Sequence, residues 1–134
     1  MKRSLFVLSL MLAFCTSIYA QTATTIWNIF CSGNCDFETF QTGVIQQDFI
    51  EVKQQDNKFY WGNDNVYKVY NKKEKHSGFM TITTYDFIDR YSQRGKIIYQ
   101  YNRDEDWLTK HMFYIQYEGV RMGKVYCSRE PKKK

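Results

Sequence analysis

The chain has 134 residues, a formal net charge of +5 and 18% aromatic side chains, a length that suits one domain with a modest core. The charge sits at the two ends: Lys2 and Arg3 open the chain, and Arg129, Lys132, Lys133 and Lys134 fall beside Glu130 in the last six positions. Residues 21–128 therefore balance thirteen basic against thirteen acidic side chains, which excludes the basic stripe that a nucleic-acid-binding body needs.

Residues 1–20, MKRSLFVLSLMLAFCTSIYA, carry two cations, an uncharged apolar run from Leu5 to Phe14, and small or polar residues up to Ala20. This is the layout of a signal peptide of the Sec route, with cleavage expected after Ala20 and a periplasmic or extracellular destination. The run of about ten residues is too short for a transmembrane segment, which needs roughly twenty. Cys15 does not suit lipid attachment, because Phe14 stands where a small residue is required.

Residues 21–128 form one expected domain, with no linker, repeat or low-complexity tract. Short runs of Tyr, Phe, Val, Ile and Thr predict strands at 25–31, 48–54, 58–62, 66–72, 79–84, 96–102, 112–118 and 122–127. The fold class predicted is all-β: an antiparallel meander of about eight strands closed into a small barrel or sandwich. Asp56-Asn57 marks a tight hairpin, because both residues tolerate positive φ. The stretches GNDN at 62–65 and SQRG at 92–95 read as turns for the same reason. Two segments fit the pattern less well. Tyr85, Ile88 and Tyr91 recur at helical spacing. In 103–111 the acidic residues precede Trp107-Leu108 and Lys110-His111 follow, a polarity that suits a short helical, lid-like turn. Residues 129–134 read as a basic disordered tail.

Alternation identifies the buried faces. Trp27, Ile29 and Cys31 share one side of the first strand, and Val125 and Cys127 share one side of the last. Phe113, Ile115 and Tyr117 line up together, and so do Tyr67 and Val69.

Three cysteines, Cys31, Cys35 and Cys127, remain once the leader is removed. Zinc needs four tetrahedral ligands, and Cys31-x-x-x-Cys35 lacks the second paired knuckle, so no metal or other cofactor is expected. A redox pair would be Cys-x-x-Cys ahead of a helix, which is also missing. In an oxidising compartment the remaining reading is a disulfide. The first and last strands of a closed barrel are neighbours, so Cys127 can bond to Cys31 or to Cys35. Joining Cys31 to Cys127 encloses nearly the whole domain, worth about 4–5 kcal/mol in the chain-entropy model, against about 2 kcal/mol for Cys31 with Cys35. One thiol is left over, which raises dimerisation through an unpaired cysteine as an alternative to a buried free thiol.

No nucleophile elbow, zinc-protease helix, phosphate loop or dinucleotide fingerprint occurs. His76 sits in the charged stretch KKEKHSG and reads as a hairpin-turn residue; His111 adjoins a strand. The cluster Asp104, Glu105 and Asp106 does not match a calcium loop. No catalytic residue is assigned, and the function expected is binding without catalysis. A protein or peptide partner comes first, of the kind met by an inhibitor, immunity or adaptor protein, contacted by strand-edge tyrosines and the loops around Trp61 and Trp107. In its architecture the meander also resembles lipocalin-type barrels. That resemblance implies a carrier of a small apolar ligand, here with Trp27, Phe59 and Phe113 lining the interior. The family's Gly-x-Trp pattern is missing, since Thr25-Ile26 precede Trp27.

Overall fold

The structure, a computed structural model, describes residues 23–134, and the expected leader 1–20 lies outside the described residues. Ten strands follow in order: β1 (Thr25–Asp36), β2 (Gln41–Thr42), β3 (Gln46–Gln55), β4 (Lys58–Trp61), β5 (Asn65–Ser77), β6 (Met80–Asp89), β7 (Arg94–Asn102), β8 (His111–Tyr117), β9 (Met122–Ser128) and β10 (Lys132–Lys133). All pairings are antiparallel. The path β1-β3-β4-β5-β6-β7-β8-β9 returns to β1, so eight strands close a barrel, with β2 and β10 as short additions to β1. Among the described residues no helix is long and apolar enough to cross a membrane.

Every predicted strand coincides with one of these. The turn chemistry also acts as expected: Asp56 and Asn57 adopt φ of 51° and 61°, and Gly62 and Ser92 also take left-handed backbone. The two ambiguous segments resolve against helix. Residues 85–89 continue β6, because Tyr85, Phe87 and Asp89 alternate inward at period two and are buried. Residues 103–110 form turns instead, in which the N–H groups of Asp104 and Leu108 donate to the side chains of Asn102 and Asp106. The tail expected to be disordered is pinned, since Lys132 and Lys133 pair with Ile26 and Thr25. His76 lies in β5 and not in a turn, because β5 runs through the charged stretch and reverses at Gly78, whose φ is 60°.

The barrel interior is aromatic. Phe59, Phe87 and Phe113 are completely enclosed, and Trp27, Trp61, Tyr67 and Tyr85 complete the packing with Ile29, Val52, Val69, Ile97 and Ile115. Edge-to-face pairs dominate: Trp27 and Phe113 have ring centres 4.9 Å apart, Trp61 and Phe113 5.7 Å, Phe59 and Tyr85 5.4 Å, the arrangement that ring quadrupoles prefer.

A second apolar cluster lies on the outer wall, with Phe30, Cys31, Cys35, Met112, Val125 and Cys127 as its buried members. A bulge creates it. Ile29 opposes Ser128 and Cys31 opposes Cys127, so Phe30 is one residue too many for β9 and the side-chain parity flips after it. Cys31 therefore faces outward with Val125 and Cys127, and does not share the face of Trp27 and Ile29 as simple alternation predicted.

Candidate functional site

The barrel has two ends. The tail end carries the Asp56-Asn57 and Gly78 hairpins, the 103–110 loop and the C-terminal tail. The rim end carries the segment 37–45 and the turns at 62–64, 90–93 and 118–121.

The five residues singled out as binding candidates divide between core and surface. Trp27, Phe59 and Phe113 are buried in the core, with Trp27 4.9 Å and Phe59 6.2 Å from Phe113. Trp61, expected at a contact loop, is 5% exposed because it shares strand parity with Phe59 and points inward against Tyr67, Phe113 and Tyr126. Trp107 alone is at the surface, 62% exposed.

The rim end holds a surface that alternation does not show. Phe40, Val44, Ile45 and Phe49 are 71%, 79%, 52% and 77% exposed, and Val120 and Met122 are exposed at the same end. Two glycines explain how the segment lies there. A side chain at Gly33 would meet the Val44 carbonyl at 2.8 Å, and one at Gly123 would run into the Phe37 ring and the Ile115 carbonyl. Their bare backbone lets Phe37 and the 43–45 main chain settle on the barrel wall, and the side chains beyond have no core left to enter.

Arg121 fastens this segment. Its guanidinium donates to Asp36 at 2.7, 2.9 and 3.1 Å and lies 3.2 Å from Glu38, while the Phe37 N–H donates to the Arg121 carbonyl at 3.0 Å. The Arg121 hydrogen bonds hold the Asp36 carboxyl down at about 2, with the Glu38 N–H contributing. Within the segment Phe40 has φ of 58°, a left-handed backbone that costs a bulky side chain about 1–3 kcal/mol.

Each end of the interior is closed by a polar group. At the rim end Asp89 accepts from Tyr117 at 2.9 Å, from Asn65 at 3.3 Å, and from the N–H groups of Gln93 and Tyr91 at 2.8 and 2.9 Å. Burial raises the Asp89 carboxyl, but those four donors outweigh it and leave the group below its ordinary range. At the tail end His111 is buried, with Tyr99 Oη 2.7 Å from Nδ1 and Glu130 Oε2 3.2 Å from Nε2. Burial, then the neighbouring Tyr101 and the Glu130 charge, push the Tyr99 phenol well up. The phenol therefore stays protonated, and the imidazole of His111 is held between it and the Glu130 carboxylate.

Ser128 opposes His111 in register, but no hydrogen bond joins them: its hydroxyl lies 2.9 Å from the Arg129 carbonyl and 3.4 Å from that of Asn28.

Cys31, Cys35 and Cys127 are all free and buried. Burial, then the Asp36 charge, raises the Cys35 thiol, and burial with the adjoining Cys31 raises Cys127, the opposite of what a nucleophilic cysteine requires. Cys31 stands directly across from Cys127, whereas Cys35 opposes Gly123. Among the described residues no thiol is exposed. Among the described residues no three His, Cys, Asp or Glu side chains converge as a metal site would require.

Fold and surface together define a closed antiparallel barrel with a packed interior and a fastened apolar rim. No protein-family model and no curated protein matches the chain.

Proposed function

We propose that this chain is an exported, non-enzymatic β-barrel that binds a protein or peptide partner through its rim end. The observation that carries the reading is Phe40, an aromatic side chain held 71% exposed on left-handed backbone. Phe40 closes the hairpin between β1 and β2, its N–H on the Asp36 carbonyl and its ring edge-on to Phe37 at 6.4 Å, yet most of the ring stays in water on left-handed backbone, and strain of this kind collects at functional sites. Val44, Ile45 and Phe49 are exposed at the same end of the barrel as Phe40, and exposed apolar side chains gathered in this way serve as interaction sites. The Asp36–Arg121 clamp supports the same reading, because a segment ordered before contact loses less freedom on binding.

Export rests on the leader pattern of residues 1–20. In an oxidising compartment Cys31 and Cys127, opposed across the seam, are the pair expected to join, passing two electrons and two protons to a thiol–disulfide oxidant and leaving Cys35 as a buried thiol. Secretion of the full chain should yield a protein beginning at Gln21 by N-terminal sequencing, with a Cys31–Cys127 peptide in a non-reduced digest.

The binding test places a photocrosslinker at Val44 in the natural host. A discrete protein adduct that disappears in Phe40→Gly, while the melting temperature holds or rises, is the expected result. An adduct indifferent to both Phe40→Gly and Ile45→Ser sinks the proposal.

A further inference from the structure

At the tail end, a cleft of about 390 Å³ is lined by Trp107, Lys110, His111, Arg129, Glu130 and Lys132. It lies at the opposite end of the barrel from the apolar rim and is independent of that reading. Its size falls within the range of small-molecule sites.

The charges in the cleft are unequal. Among the described residues no carboxylate comes within ion-pair distance of Lys110, Arg129 or Lys132. The one acidic lining residue, Glu130, is engaged by His111 Nε2 at 3.2 Å. Lys110, Arg129 and Lys132 therefore outnumber the one carboxylate, and the cleft has an excess of positive charge.

The aromatic part of the cleft is equally specific. The Arg129 guanidinium lies 5.3 Å from the centre of the Phe30 ring and 5.7 Å from that of Trp107, and the two rings are themselves 5.2 Å apart. Those contacts fix where the guanidinium sits while leaving its hydrogen-bonding fork without an acidic partner. Phe30 faces outward by ordinary alternation from the inward-facing Ile29, just ahead of the parity change that turns Cys31 the same way. His111, buried at one side, anchors Glu130 beside Arg129, and strand pairing with Ile26 holds Lys132 at the same cleft.

We infer that this cleft binds a small carboxylate ligand with a planar apolar body, the carboxylate on Arg129 with Lys110 and Lys132, the body against the indole of Trp107. A guanidinium and a carboxylate match as a two-pronged pair, and an exposed indole supplies the flat apolar wall.

Benzoate serves as the probe, with benzylamine as its cationic counterpart and acetate as the carboxylate without a ring, all at constant ionic strength. Binding is read on the Trp107 indole N–H signal in a proton–nitrogen NMR spectrum of the full mature chain, assigned by Trp107→Phe. The expected result is a saturable benzoate shift that acetate reproduces only weakly and benzylamine not at all. Arg129→Gln should weaken benzoate binding at least about tenfold, the loss expected for one charge-assisted hydrogen bond. Because Arg129→Gln also removes a ring contact, Lys132→Gln and Lys110→Gln are measured alongside; each should weaken binding several-fold with an unchanged spectrum elsewhere. Three outcomes overturn the inference: no saturable shift with benzoate, equal shifts with benzoate and benzylamine, or benzoate binding unchanged across the three variants.

Discussion

The two ends of the barrel handle exposed aromatic surface in opposite ways. At the tail end guanidinium groups lie over aromatic rings, Arg103 over the exposed Phe79 at 5.0 Å and Arg129 over the buried Phe30 and the exposed Trp107. At the rim end Arg121 is spent on Asp36 and Glu38, and Phe40, Val44, Ile45 and Phe49 are left bare. The same residue type thus shields apolar surface in one place and holds it out in the other. Its partner decides which: a ring face screens the ring, whereas a carboxylate fixes a loop and leaves the neighbouring side chains in water.

The interior plugs differ in the same sense, and mutation of each tests the contrast. Asp89→Ala at the rim end strands two side-chain donors and two backbone N–H groups, and is expected to cost about 3 kcal/mol. His111→Gln at the tail end keeps hydrogen-bonding atoms in place and should cost about 1–2 kcal/mol. Urea unfolding at pH 7 reads both, and a larger loss for His111→Gln would reverse the ranking.

The two buried tryptophans sharpen the comparison. Trp27 donates its indole N–H to Gln54 at 3.2 Å, whereas the buried Trp61 N–H has no partner among the described residues. Trp27→Phe abandons a bond and Trp61→Phe removes an unmet donor, so the first should cost about 1–2 kcal/mol more than the second.

Acid should open the ends in order. Asp36 and Asp89 both have lowered pKa values in the folded state, so their contribution to stability is complete above the unfolded carboxyl value near 4. It is lost as the pH falls through the folded value, about 2 for Asp36. Both groups belong to the rim end. Amide exchange followed between pH 4 and pH 2 should rise first in 36–45 and 118–122; simultaneous rise in 103–111 would contradict the assignment.

The smallest effect on stability comes from the surface itself. Ile45→Ser is expected to stay within about 0.5 kcal/mol of the parent. Phe40→Gly should raise stability by up to about 1 kcal/mol by relieving its left-handed backbone. Thermal melts in parallel with the crosslinking assay separate this pair from variants that merely unfold.

Much of the barrel was legible because its strands alternate. Phe113, Ile115 and Tyr117 face inward as their period-two spacing implies, and the positive φ of Asp56-Asn57 follows from residue type. The seam was legible too, since a closed meander must set its first strand beside its last. The bulge at Phe30 was not, because one extra residue against β9 leaves no mark in β1 alone, and it turned Cys31 to the other side. β5 ran on through Lys72, Lys73 and Lys75 because β6 pairs with it there, a tertiary effect that outweighs the poor strand propensity of the charged run. Of the surface, Trp107 was found from its loop, but Trp61 was misplaced although its alternation with Phe59 already pointed inward. The rim escaped notice because Phe40, Val44 and Ile45 lie where neither period applies. Their exposure depends on Gly33 and Gly123, far away in the chain and meaningful only once β1 and β9 adjoin.

Pairing the first long strand with the last has a consequence for how the chain is made. A ribosome must release the C-terminal residues before the ring can shut, so every prematurely ended product carries two raw sheet margins.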